Sequence, residues 1–245
     1  MLIYIALPLS ASAIDIDSLK VAADSAYAQE KYEDAVKIYS ELTEQTENAD
    51  VYYNLGCAYY RMDDMAHAIL WFERAAMLNP SDKDINFNLE LARSKTIDRI
   101  TPRHEMFFGS LFNWLSQLFS LSQWAFVCIA LFVLSLVGLG LFFFSGRYLL
   151  RKGGFYAAVV LFMLTIVANL CANHRRNSLL SHDSAIVVAS SVTVKSTPSQ
   201  SGNDLFVLHE GTRVEIRDAS MKDWCEVQIA DGKVGWLERS AMEEI

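Results

Sequence analysis

The chain has 245 residues and a formal net charge of −8, with 52 % hydrophobic and 20 % charged side chains. That length holds two small soluble domains and a membrane segment. The acidic balance argues against a nucleic-acid binder, which needs a basic footprint.

Charge is unevenly spread. Residues 14–100 hold 17 acids against 9 bases, residues 183–245 hold 11 against 6, and residues 101–182 hold 1 against 6. The bases of the middle segment therefore gather beside apolar sequence, where lipid phosphates receive them. The four cysteines, Cys57, Cys128, Cys171 and Cys225, have no paired spacing. Neither a disulfide framework nor a zinc site is indicated, and free buried thiols are expected.

Residues 1–13 form an apolar core ending in Ala11-Ser12-Ala13, the shape of a signal peptide with an A-x-A cleavage site. The segment is short and has no basic flank, so a longer leader upstream is the expectation. The competing reading is an apolar first helix of the soluble domain.

Residues 14–100 repeat with a period near 34. Tyr52, Leu55, Gly56 and Tyr59, followed by Ala68, Phe72, Ala75 and Pro80, fall at the spacing of a tetratricopeptide helix hairpin. Gly56 and Ala68 let the two helices approach, and Tyr59 and Phe72 fill between them. A weaker copy precedes it at Ala23, Tyr32, Ala35, Tyr39 and Leu42. Asn86-Phe87-Asn88-Leu89 echoes Tyr53-Asn54-Leu55 and predicts the opening helix of a third unit, serving as a cap.

Residues 104–121 carry Phe108, Leu111, Phe112, Leu115, Leu118 and Phe119 at helical spacing, with serines, Asn113 and Gln117 opposite. This predicts an amphipathic helix lying in the bilayer interface or binding a partner, with Trp114 and Trp124 at headgroup depth. Residues 122–144 and 154–173 follow as two transmembrane helices, each long enough at ~1.5 Å per residue to cross roughly 30 Å of hydrocarbon. The loop between them, 145–153, carries Arg147, Arg151 and Lys152. The positive-inside rule puts that loop in the cytoplasm. Both soluble segments then face the periplasm, giving a two-span inner-membrane protein.

From 183 to 245 the period changes to that of short strands: 185–188, 192–194, 205–208, 213–217, 224–229 and 234–237, separated by turn residues. Five or six such strands predict a small barrel resembling the bacterial SH3-like domain. Gly232 and Gly235 provide a turn and a close backbone approach. The predicted fold class is thus a multidomain membrane protein: an all-α tetratricopeptide solenoid, a two-helix transmembrane hairpin and a small all-β SH3-like barrel.

No residue set assembles into catalytic chemistry. No histidine pair has metal spacing, no glycine-rich phosphate loop is present, and no cofactor is expected. A meeting of Cys225 with His209 inside the barrel is more simply a core thiol beside a turn histidine. What remains is binding. In the repeat register Lys20, Asp24, Tyr27, Tyr53, Asn54, Tyr60, Arg61, Phe87 and Asn88, with Cys57, face or border the inner groove. Asn54 and Asn88 would hydrogen-bond an extended peptide while the tyrosines pack on its side chains. The alternative is that these residues only hold repeat against repeat. Asp24, Asp84 and Asn88 depart from the family's carboxylate clamp, so capture of a C-terminal carboxylate is not indicated. In the barrel, Trp236 and Phe206 are either ligand-stacking or core aromatics.

The order of segments, together with 26–35 (Ala-Tyr-Ala-Gln-Glu-Lys-Tyr-Glu-Asp-Ala), 86–95 and Leu208-His-Glu-Gly-Thr212, resembles the BatE family, the E proteins of the Bacteroides aerotolerance operon. The resemblance implies a non-enzymatic component of a membrane complex whose partners are the von Willebrand A-domain membrane proteins of the same operon. A different function, a cell-envelope sensor or anchor whose barrel binds peptidoglycan peptides, is the alternative.

Overall fold

In the computed structural model the described residues are 11–100, 111–112, 114–116, 118–180 and 183–245. Helices α1 (Ala11–Ala28), α2 (Tyr32–Gln45), α3 (Ala49–Arg61), α4 (Met65–Leu78) and α5 (Lys83–Arg93) come first. The buried positions explain them. Ala35, Tyr39 and Leu42 on α2, Val51, Leu55 and Ala58 on α3, and Ile85, Leu89 and Ala92 on α5 recur at i, i+4, i+7. Each set makes one apolar stripe. Asn48 caps α3, accepting from the backbone of Asp50 at 2.8 Å and Val51 at 3.4 Å. Asp82, 34 positions later, caps α5 in the same way through Asp84 and Ile85.

The repeat is also written in the turns. Glu30 and Asp63 both adopt left-handed φ, 61° and 63°. Lys31 N–H donates to the Ala26 carbonyl, and Asp64 N–H donates to that of Tyr59. The same turn therefore joins α1 to α2 and α3 to α4. Helix α5 lies at the position expected for the opening of a third unit and packs on α4. The segment 1–10 lies outside the described residues. Helix α1 runs continuously from Ala11 through the A-x-A sequence.

The C-terminal part is one antiparallel sheet. Its strands are β1 (Ser184–Val187), β2 (Ser191–Lys195), β3 (Asp204–His209), β4 (Arg213–Asp218), β5 (Trp224–Gln228), β6 (Val234–Glu238) and β7 (Met242–Glu244), in the order β3-β2-β6-β5-β4-β1-β7. All seven contribute to a single core around Val187, Val194, Leu208, Val214, Cys225, Leu237 and Met242, so the sheet curls upon itself. Strand β7, only three residues long, is an addition to the six strands expected. Gly232 has φ of 92° in the β5–β6 turn. At Gly235 a Cβ would lie 2.5 Å from Val194 Cγ1.

Helices and sheet belong to one unit, Met1–Leu78, Asp82–Arg103 and His182–Ile245. Ile186 and Ile245 enter the same core as Ala68, Ile69, Phe72, Leu89 and Ala92. Ile100 packs against the barrel core itself.

The second unit, Asn79–Ser81 and His104–Ser181, is dominated by α6 (Leu121–Phe144) and α7 (Tyr148–Leu180). Both are long and apolar enough to cross a membrane: Leu121–Phe144 has a mean hydropathy of 2.8 and Tyr148–Asn177 of 2.2. Only 11 % and 17 % of their most apolar windows are buried, which sets them apart from the core helices of a soluble domain. Ser120 and Gln123 form a capping box at the start of α6. The helices meet where side chains are small. A Cβ on Gly154 would lie 2.8 Å from the Gly138 carbonyl oxygen, and Ser135 Oγ donates to the Ala158 carbonyl at 3.1 Å.

The structure adds detail to the segments around the two long helices. The turn between the long helices is confined to 145–147, because α7 begins at Tyr148 and already contains Arg151 and Lys152. Leu, Arg and Lys are good helix formers, so the helix outruns its apolar stretch at both ends. Trp124 is 5 % exposed, its indole N–H donating to the Ser116 carbonyl at 3.0 Å, whereas Trp114 is 59 % exposed. The 104–121 helix is described only in part: residues 111–112 and 114–116 are helical, and 104–110, 113 and 117 lie outside the described residues.

Candidate functional site: the repeat groove and the seam beneath it

The face shared by α1, α3 and α5 brings most of the expected groove residues together. Asp24 accepts from the Tyr39 hydroxyl at 2.5 Å and from Asn54 Nδ2 at 3.4 Å. Asn88 Nδ2 donates to the Tyr53 hydroxyl at 2.8 Å and to the Asp84 carbonyl at 3.0 Å. Both asparagines thus join neighbouring helices of the repeat. Tyr27 packs edge-on against Tyr32 at 5.4 Å, and Arg61 lies over the Tyr32 ring while donating from Nε to its hydroxyl at 3.0 Å. Lys95 Nζ lies 4.2 Å from the Tyr60 ring centre. Lys20 is half-buried on α1, one turn before Asp24. Phe87 stands apart, 67 % exposed on α5.

Cys57 lies on the floor of this face. Burial pushes its thiol up to about 11, despite a hydrogen bond with Tyr53. Burial likewise raises the Tyr27 and Tyr53 phenols. These groups stay protonated at neutral pH, so Tyr27, Tyr53 and Cys57 add neutral surface and no nucleophile.

Repeat and barrel are also clasped by polar groups that sequence patterning offers no reason to pair. Glu73, 5 % exposed on α4, accepts from Arg93 on α5 and from Arg213 on β4, the latter at 3.3 Å. Arg74 donates to the Glu244 carbonyl at 2.5 Å while its guanidinium covers Trp71. Asp98 takes three hydrogen bonds from the barrel: His209 N–H at 2.7 Å, His209 Nδ1 at 2.8 Å and Thr212 Oγ1 at 2.7 Å. Burial works to raise the Asp98 carboxyl, but these hydrogen bonds outweigh it and hold the group below the usual range. Gly211, with φ of 80°, lies in the same seam, where a Cβ would sit 2.7 Å from Thr96 and 2.9 Å from Ile69.

His209 and Cys225 take different partners: His209 goes to Asp98, while Cys225 Sγ accepts from Arg239 Nε at 3.4 Å. Phe206 and Trp236 are both half-buried, and Phe206 packs on the barrel core with Lys233 over its ring. A polar cleft of about 380 Å³ opens at the barrel surface between Lys222, Asp223, Trp224, Glu238, Arg239 and Ser240. Among the described residues no three His, Cys, Asp or Glu side chains gather as a metal site.

Two stretches of the chain resemble known families, and no curated protein matches the chain. Residues 49–82, which hold α3, α4 and the Asp82 cap, match the tetratricopeptide repeat, and residues 190–243 match the bacterial SH3 domain. Both are interaction modules. The chain therefore carries helical repeats of tetratricopeptide type, two apolar helices and an antiparallel SH3-like sheet, the architecture of a protein-interaction scaffold.

Proposed function

We propose that this chain is a non-enzymatic inner-membrane scaffold that docks a partner protein in the groove of its helical repeat. The observation that carries this reading is Phe87. A phenylalanine 67 % exposed, next in the chain to the Asn88 that bonds the Tyr53 hydroxyl, is an apolar anchor on a face otherwise knitted together by hydrogen bonds. Aromatic anchors commonly dominate interfaces. Lys20, Asp24, Tyr27, Tyr60 and Arg61 extend the face along α1 and α3, and Asn54 keeps those helices in register.

The two long helices form the membrane anchor in this reading, with both soluble segments in the periplasm. Arg147, Arg151 and Lys152 cluster at the α6–α7 turn, which the positive-inside rule assigns to the cytoplasm. The common core of α4, α5, Ile186 and Ile245 supports the same-side part of this topology. Apolar side chains cannot share one core across a bilayer, so an even number of crossings must separate residue 100 from residue 183.

The resemblance to the BatE family extends the proposal to an aerotolerance-type membrane complex, with von Willebrand A-domain membrane proteins as the partners. A second reading, binding of peptidoglycan peptides by the barrel, is favoured by the cleft around Trp224, whose Lys222, Arg239, Asp223 and Glu238 suit a ligand bearing both charges.

The test is crosslinking and purification of the full chain from native membranes, wild type against Phe87→Ala. Loss of the co-purified protein, with the circular dichroism of the repeat unchanged, supports the groove. Full recovery with Phe87→Ala and loss with Trp224→Ala would transfer the role to the barrel.

A further inference from the structure

The seam between repeat and barrel contains a histidine whose surroundings suit only one of its protonation states. His67, on α4, is 30 % exposed and stacks on the Tyr59 ring of α3, with centroids 5.0 Å apart. Its Nδ1 lies 2.7 Å from Asp64 Oδ2 and 2.9 Å from Oδ1, at the start of its own helix. Its Nε2 lies 3.6 Å from Glu243 Oε1, on β7 of the barrel. Both ring nitrogens therefore face carboxylates. A neutral imidazole has one N–H, so whichever tautomer forms, one lone pair is aimed at a carboxylate. The imidazolium donates to both.

We propose that His67 is a pH-dependent clasp that fastens the barrel to the helical repeat when it is protonated and slackens it when it is not. The two carboxylates that face it agree in sign, and Arg74 shares one of them. Asp64 and Glu243 are its acidic neighbours, Tyr59 is uncharged, and Arg74, further along α4, bears on Glu243 and holds the adjacent Glu244 carbonyl. Burial opposes the charge on His67, but the hydrogen bond it donates to Asp64 comes first and leaves its pKa raised above 6.5. The sign follows. A group whose folded pKa is raised contributes fully below its unfolded value, near 6.5, and loses its contribution as pH climbs through the folded value. The clasp is therefore closed under mildly acidic conditions and slack under alkaline ones. Two features confine the effect to the seam. Asp64 keeps its N-cap bond to the His67 backbone at 3.1 Å in either state, so helix α4 stays capped. Glu73 and Asp98 hold other parts of the same surface through arginines and through hydrogen bonds from Thr212 and His209.

The proposal is independent of what occupies the groove. It is tested by hydrogen exchange on the full chain in lipid nanodiscs at pH 6 and pH 8, corrected for intrinsic exchange, in peptides covering β1 and β7. The expected result is protection about two- to fivefold greater at pH 6 in the wild type, the size of a half-exposed charge pair. His67→Gln, and separately Glu243→Gln, should abolish the difference. Glu243→Gln changes no residue of α4, so it answers the question even where the His67 variant is unstable. Equal protection at the two pH values in the wild type overturns the proposal. So does a pH difference that survives both variants and disappears in His209→Gln, which would assign the titration to the Asp98 pair.

Discussion

Gly56 offers the sharpest test of the repeat packing. It is buried on α3, and a Cβ built on it would lie 2.7 and 2.8 Å from Cδ1 and Cε1 of Phe72, with Cγ at 3.2 Å. Phe72 is 1 % exposed and its ring leans on Tyr53 at 5.8 Å, so it has little room to retreat. Two effects compete in Gly56→Ala. Alanine is better than glycine inside a helix by about 1 kcal/mol. Overpacking a well-filled core costs roughly 1–3 kcal/mol. The second should win by about 1 kcal/mol, which lowers Tm by roughly 2–4 °C in a unit of this size. Leucine adds three more heavy atoms with nowhere to go, and the net loss should approach about 3 kcal/mol or more.

The assay is far-UV circular dichroism of the full chain in detergent, followed on heating, with Phe72→Leu as the second arm of a double-mutant cycle. Removing ring atoms at 72 should relieve the clash, so alanine at 56 becomes neutral or stabilising there. The coupling between the two sites should be about 1 kcal/mol or larger, as for side chains in direct contact. The reasoning is refuted if Gly56→Ala raises Tm in the Phe72 background, because propensity alone would then explain it. Absence of coupling would refute it too.

Other consequences follow from the seam and the hairpin. Glu73→Gln leaves Arg93 and Arg213 without their shared carboxylate; with both arginines partly exposed, the loss should be about 1–3 kcal/mol by urea unfolding. Gly211→Val combines a left-handed φ with contact on Thr96 and Ile69, and should cost roughly 2–4 kcal/mol in the same assay. In the hairpin, Gly138→Leu should lower the yield of folded protein from membranes, since its Cβ would lie 3.0 Å from the Gly154 carbonyl, while Gly140→Leu, with open space around it, should not. Reporter fusions after Glu47 and after Ile245 should both read as periplasmic and one after Tyr148 as cytoplasmic; opposite answers from the first two would contradict the shared core.

The local structure was legible because its causes are local. Tyr39 and Leu42, Leu55 and Ala58, and Leu89 and Ala92 announce their helices through spacing, and Asn48 and Asp82 announce where α3 and α5 begin. Gly232 and Gly235 mark a turn and a close approach with no partner needed. The groove was half legible. The register put Asp24, Tyr53, Asn54 and Asn88 on one face, but it said nothing of Asp24 lying between Tyr39 and Asn54, which depends on how α1 crosses α2 and α3. The seam was not legible at all. Ile186 read as an ordinary strand residue and His209 as a turn histidine, and no pattern singled out Asp98 or Ile245. Ile69 lies more than a hundred positions from Ile186 and Ile245, as Asp98 does from His209 and Thr212, and periodicity cannot report a contact made by one residue from each of several elements. Hydropathy similarly marked where the second apolar stretch begins near 154, while helix α7 extends back through Lys152 and Arg151 because nothing there breaks a helix.

The seam also alters how function in this chain can be dissected. Cutting the repeat from the barrel exposes Ile69, Leu89 and Ala92, which are otherwise covered by Ile186 and Ile245, and strips Glu73 and Asp98 of Arg213, His209 and Thr212. A carboxylate left buried without its partner costs more than the pair contributed. Loss of binding on deletion of 183–245 would therefore report collapse of the repeat as readily as loss of a barrel ligand site. Substitutions remote from the seam avoid this ambiguity. Phe87 is one, since truncating a side chain 67 % exposed removes little that holds the fold. Tyr53 and Asn54 are poorer probes, because Asn88 and Asp24 depend on them to join neighbouring helices. A partner lost with Phe87→Ala but retained with Trp224→Ala is bound by the groove, whatever a domain deletion reports.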